Sequence, residues 1–281
     1  MSDKAHYFFE QGLARWERGE MDIAVTCFTQ AIQLDPVYLD AYLNRGAANQ
    51  NNGDFVGAIS DYTDALRLKP SERVIPWLFH MRGMAYESLG HLNEALRDYD
   101  MAIRADTRFV DAYRSRSYAR VQAGDLTGAV ADVTEVLRYF PGDSALYNER
   151  GNLYADQGFL DEAIADYSRA IHYNPQDDYA YYNRAITYAF QNKLRAAIED
   201  YTHVIQLVPE LAAAYNNRGN AFHRLGDVAR AMADYSEAIR LEPNFSLAYR
   251  NRAGVREQIH DIPGAIEDYQ QAAFLGYNEL D

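Results

Sequence analysis

A fixed spacing of small residues constrains this chain more than any other feature. Gly12, Gly46, Gly83, Ser117, Gly151, Ala185, Gly219 and Ala253 follow one another at 34 residues, with one 37-residue step between Gly46 and Gly83. Twelve residues after each stands an alanine: Ala24, Ala58, Ala95, Ala129, Ala163, Ala197, Ala231 and Ala265. Twenty-four residues after each stand Pro36, Pro70, Thr107, Pro141, Pro175, Pro209, Pro243 and Tyr277. A period of this length marks a stack of supersecondary units, none of which can bury its apolar face alone. Eight units cover nearly the whole chain, at about 5–38, 39–75, 76–109, 110–143, 144–177, 178–211, 212–245 and 246–281. We treat them as one domain.

Each unit predicts two helices. In the fifth, Tyr147, Gly151 and Tyr154 share one helical face, and Gly158 then supplies a left-handed stop. Ala163, Ile164, Tyr167, Ala170 and Ile171 form the stripe of a second helix that Pro175 ends. Small residues in the glycine and alanine series let the two backbones approach, and aromatic rings fill the gaps. The 37-residue step places three extra residues in a longer turn over Ser71–Pro76.

These residues resemble the tetratricopeptide repeat (TPR) family: small at Gly151, Tyr at Tyr154, Ala at Ala163, aromatic at Tyr167, Ala at Ala170, Pro at Pro175. Val133, Val136, Val204 and Thr107 depart from that pattern. The resemblance implies an all-α fold, a right-handed superhelical α-solenoid of antiparallel helix pairs. It also implies that the first helices line a concave groove, with groove slots at six, three and two residues before the glycine series and one, four and five after it.

Several function classes are disfavoured. The net charge of −14 argues against nucleic acid, which wants a basic face. The single cysteine, Cys27, gives no disulfide framework, and the seven histidines show no metal-ligand spacing. No catalytic set is recognisable, and the scattered carboxylates read as solvation, so we expect no enzyme, no metal and no cofactor. No segment is apolar enough for a signal core or a membrane span, and the expected location is cytoplasmic. An arginine precedes seven members of the glycine series (Arg45 to Arg252), and an aspartate recurs in seven second helices (Asp61 to Asp268). Pairing within each unit, with bidentate geometry, is the expected use; a row of anion-binding arginines is the alternative.

The groove slots vary from unit to unit, and recognition belongs where a repeat varies. Asn44, Asn183, Asn217 and Asn251 lie two residues before the glycine series; Asn152 and Asn220 lie one after it; Asn148 and Asn216 lie three before it. An amide offers a donor and an acceptor together, matching a peptide backbone. Unit three instead carries Trp77, His80, Met81 and Met84, with Arg114 and Tyr118 expected beside them in unit four. Tyr179 and Tyr182 make a second aromatic spot. Such residue types are enriched at interfaces. Acidic residues outnumber basic ones at the groove slots, which favours a neutral or basic ligand segment. No slot carries the set of lysines and arginines by which some TPR domains clamp a chaperone's C-terminal carboxylates.

The expected function is therefore a non-catalytic interaction scaffold that holds a protein or peptide segment in the groove. The alternative is self-assembly into homo-oligomers through uncapped ends. TPR arrays commonly close with a polar capping helix, yet five residues follow Gly276, and Ala272, Ala273, Phe274 and Leu275 remain near the end.

Overall fold

The computed structural model describes residues 2–276, so Tyr277 lies outside the described residues. Among these residues the secondary structure is entirely helical. The chain forms two compact units, Met1–Tyr139 and Phe140–Asp281. The first holds α1 (Asp3–Glu17), α2 (Met21–Leu34), α3 (Leu39–Asn51), α4 (Phe55–Arg67), α5 (Ile75–Ser88), α6 (Leu92–Ala105), α7 (Val110–Gln122) and α8 (Leu126–Tyr139). The second holds α9 (Ser144–Asp156), α10 (Leu160–Tyr173), α11 (Asp178–Phe190), α12 (Leu194–Leu207), α13 (Ala212–Arg224), α14 (Val228–Leu241), α15 (Ser246–Gln258) and α16 (Ile262–Phe274). Within each unit every odd-numbered helix packs on the following even one, and each pair packs on the next. These are the helix pairs expected from the period. The longer turn of the 37-residue step runs over 68–74, because Ile75 and Pro76 already belong to α5, where proline suits the first turn.

The pairs form because their small residues leave room for a ring. A methyl group built on Gly151 would come 2.6 Å from the ring of Tyr167, and one on Gly46 2.8 Å from Tyr62. At these glycines the ring thus occupies the volume that a side chain would need, whereas the sixth pair accommodates Ala185 together with the buried Tyr201. In the fourth pair, Ser117 stands at the glycine position and the smaller Val133 takes the place of the ring. The alanines of the twelve-residue offset are all buried. Gly158 sits at φ +80°, ending α9 in the left-handed region where a Cβ would be strained. Aspartates cap several second helices: Asp54, Asp125, Asp227 and Asp261 each accept from a backbone N–H in the first turn.

The arginine series is the second fastening. Arg45, Arg82, Arg116, Arg150, Arg184, Arg218 and Arg252 each donate two side-chain N–H groups to Asp61, Asp98, Asp132, Asp166, Asp200, Asp234 and Asp268, respectively. All seven aspartates are buried. These arginines are neutralised, so they form no anion-binding row. Their pairing also reaches beyond their own pair. The remaining Nη1 of Arg45 donates to Thr29, of Arg82 to Thr63, of Arg116 to Asp100, of Arg184 to Ser168, of Arg218 to Thr202 and of Arg252 to Ser236. One guanidinium therefore ties a first helix to its partner and to the second helix before it.

Among the described residues no helix is long and apolar enough to cross a membrane, and no cluster of metal-ligating side chains occurs.

Candidate peptide-binding groove

The expected groove residues divide among four clefts, an internal seam, the core and the open surface. In the first unit, Trp16, Leu43, Asn44, Ala47, Arg73, Val74 and Trp77 line one cleft. Trp77 meets Tyr62 edge to face at 6.0 Å, so its ring is partly committed to the core while its rim faces the cleft. The Nδ2 of Asn44 donates to its own helix, at the Asp40 carbonyl, 2.8 Å away. Met84, Arg114 and Tyr118 gather with Glu87 around a second cleft. Met81 packs into the core around Tyr62.

In the second unit, Asn152, Asp156, Tyr167, Asn183 and Phe190 line a cleft of about 710 Å³. Phe190, Tyr201, Asn217, Asn220 and Arg224 line its neighbour. Phe190 is shared by both clefts and is 79% exposed. Tyr179 is also exposed but belongs to none of these four clefts.

Two expectations are corrected. His80 is buried, and its Nε2 lies 2.9 Å from the Ser115 hydroxyl. Burial lowers its pKa, against the opposing charge of Asp111. Asn216 is completely buried; its Nδ2 donates to Asn217 and its Oδ1 accepts from Asn251. Neither side chain faces a groove. The reason is common to both: the slot three residues before the glycine series turns toward the next first helix. There it meets the slot two residues before the following member, 35 residues on. His80–Ser115, Asn148–Asn183, Tyr182–Asn217 and Asn216–Asn251 all make this contact. The Nδ2 groups of Asn183, Asn217 and Asn251 are thus spent on an internal seam between first helices.

The carbonyl groups of the cleft are held in fixed places. Asn152 Oδ1 accepts from the Tyr167 hydroxyl at 2.8 Å and from Asn183 at 3.1 Å, and Asn220 Oδ1 accepts from Tyr235 at 2.7 Å. Burial raises the Tyr167 pKa to about 12, and burial raises that of Tyr182 with partial relief from Asn217. The Tyr167 phenol thus stays a neutral donor to Asn152, while the Tyr182 hydroxyl accepts from Asn217.

Sequence reading passed over Phe190. It occupies the slot five residues after the glycine series, where the other units carry Glu17, Asn51, Ser88, Gln122, Asp156, Arg224 and Gln258. A single aromatic in a row of exposed polar residues was the available signal. Trp16, one residue before that slot in the first unit, was missed for the same reason.

Comparison with known proteins agrees with this architecture. The family description "TPR repeat" matches residues 12–53, 151–191 and 188–226, and "Tetratricopeptide repeat" matches 80–144 and 212–245. Over 100 residues the chain is 34% identical to human Tetratricopeptide repeat protein 36, covering 35% of this chain and 53% of that protein. It thus spans about half the length of that relative. Among solved structures, the C-terminal part of a TPR repeat-containing protein from Cytophaga hutchinsonii superposes with a TM-score of 0.76 at 17% identity, covering 86% of this chain and 98% of that one. YrrB, described as a TPR protein with an unusual peptide-binding site, superposes with a TM-score of 0.56 at 22% identity over 66% of this chain and 95% of its own. The repeat matches span well over half of the sequence and the helix pairs have the matching form, so the chain belongs to the tetratricopeptide repeat family.

Proposed function

We propose that the chain is a non-catalytic, cytoplasmic interaction scaffold that holds an extended peptide segment of a protein partner across α9, α11 and α13. The single observation that carries this reading is Phe190, a large apolar ring left 79% exposed between two adjoining clefts. An exposed aromatic beside the fixed Asn220 oxygen, which accepts one hydrogen bond from Tyr235, offers an apolar contact and a backbone acceptor together. YrrB, by its description, has a peptide-binding site on the same kind of scaffold. Of the asparagines, Asn220 contributes through its oxygen, since the Asn152 oxygen already accepts two bonds and the amide nitrogens of Asn183, Asn217 and Asn251 serve internal contacts. Selection of random peptides of about twelve residues, displayed on phage against the full chain, tests the reading; that length spans the three helices when extended. Enriched peptides should lose at least about tenfold in affinity on Phe190→Ser, as removal of a central aromatic anchor does. Peptides that bind the variant equally, or the absence of any enrichment, overturn it.

A second reading, self-assembly, rests on α16. Tyr269 is 39% exposed there, whereas its counterparts Tyr62, Tyr99 and Tyr235 are fully buried. Ile262, Ile266 and Phe274 are exposed beside it. This is the face that in earlier pairs receives the next first helix. Light scattering against concentration tests it: a rising mass that Ile266→Glu abolishes supports the reading, and a constant monomer mass refutes it.

A further inference from the structure

The exposed slots around Phe190 carry an order of charge. Five residues after the glycine series, successive repeats of the second unit place Asp156, Phe190 and Arg224. Asp156 lines the cleft on one side of Phe190, and Arg224 lines the cleft on the other. Neither charge forms an ion pair among the described residues. Arg224 is nevertheless held in place: Nη1 donates to the Ala189 carbonyl at 3.0 Å and Nη2 to Asn192 Oδ1 at 2.9 Å. Arg195 stands near Arg224 around a neighbouring hollow, together with Lys193, whose charge is paired with Asp161. In a chain of net charge −14, a cationic end to a cleft is a local reversal.

From this row we infer the class of ligand: a peptide segment with a basic residue opposite Asp156, a bulky apolar residue on Phe190 and a carboxylate opposite Arg224. The inference rests on the groove reading above and adds charge order and spacing to it. The first helices α9, α11 and α13 lie side by side, as the bonds from Asn183 to Asn148 and from Asn217 to Tyr182 show. Packed helices stand about 10 Å apart, and an extended chain advances about 3.3 Å per residue. One step of the row therefore corresponds to about three ligand residues. The motif is a cation, an apolar residue about three positions on, and a carboxylate about three positions further, in either chain direction. Neutral overall, it fits the expectation that purely acidic segments are disfavoured. Opposite charges at the two ends also fix which way the ligand lies, because reversing it would set like charges against each other.

The same peptide selection tests this, extended by two variants. Enriched sequences should carry Lys or Arg and Asp or Glu on opposite sides of a large apolar residue at these spacings. A synthetic consensus peptide should bind Asp156→Lys and Arg224→Gln about fivefold more weakly at low salt, with smaller losses at high salt, as exposed charge pairs behave. Arg224→Gln keeps hydrogen-bonding capacity toward Ala189 and Asn192, and helical circular dichroism verifies folding of both variants. Replacing the peptide's cation by glutamate should restore binding to Asp156→Lys. Peptides that depend on Phe190 but show no charge order, or are indifferent to both charge variants, overturn the inference and leave the groove reading standing. Peptides indifferent to Phe190→Ser overturn both.

Discussion

Replacing Asp166 by asparagine removes one charge from the fastening between α9 and α10 while keeping the shape of the side chain. Asp166 is fully buried and accepts from Arg150 Nε at 2.6 Å, Arg150 Nη2 at 2.8 Å and Arg169 Nη1 at 2.6 Å. Its hydrogen bond holds the Arg150 pKa above the ordinary guanidinium value, against the effect of burial. An asparagine amide would turn an NH₂ group toward one of these donors and remove the carboxylate charge that faces Arg150. Breaking a buried pair from one side costs about 3–5 kcal/mol. Arg150 keeps some access to water, with 12% of its side chain exposed, so the lower end, about 3 kcal/mol, applies. Repeat arrays open piece by piece, so the loss is best read locally by amide hydrogen exchange. About 3 kcal/mol corresponds to roughly 100-fold faster exchange through sub-global opening of α9 and α10. The double variant Arg150→Met/Asp166→Leu, which removes both charges, should recover much of the loss. A loss under about 1 kcal/mol in Asp166→Asn, or a double variant as unstable as the sum of its parts, would refute the view that the pair acts as a unit.

Two further outcomes follow from buried groups. Tyrosine in an unfolded chain ionises near pH 10, whereas burial raises Tyr167 to about 12 and Tyr62, Tyr99, Tyr201 and Tyr235 higher still. Because the folded values are raised, their contribution is complete below pH 10 and is lost as pH climbs through 12 and beyond. Tyrosinate absorbance and helical circular dichroism should change together above about pH 10; ionisation of all tyrosines near 10 with the helices intact would contradict this. Asn216→Ala should lower thermal stability, by about 1–2 kcal/mol, because it strands the Asn251 and Asn217 amide partners at the seam. Unchanged stability would return Asn216 to the list of recognition residues.

How far the sequence carries is clearest at single residues. The series at Gly151, Ala163 and Tyr167 announced both helices and their contact, because close backbone approach demands a missing side chain opposite a ring. The Arg150–Asp166 pairing was legible for a similar reason: two charges recurring at one offset, and absent together in the first repeat, belong together. The guanidinium's further bond to the preceding pair was not legible. Its acceptor changes from threonine to serine to aspartate, as at Thr29, Ser168 and Asp100, and leaves no constant letter to read.

The groove shows the same division. Periodicity says which positions are equivalent, and variation among them singled out Asn183, Asn217 and Trp77. It does not say which way an equivalent position points. That depends on how each first helix is rotated against the next, which is set by packing between residues 35 apart. This packing buries Asn216 and His80 and leaves Phe190 in the open. Composition and spacing by themselves determined the repeat, the helix pairs and the paired charges, since those rest on contacts recurring within each unit. Only the tertiary structure decided which polar side chains bind each other and which stay exposed, because a seam between neighbouring helices exists only once they are stacked.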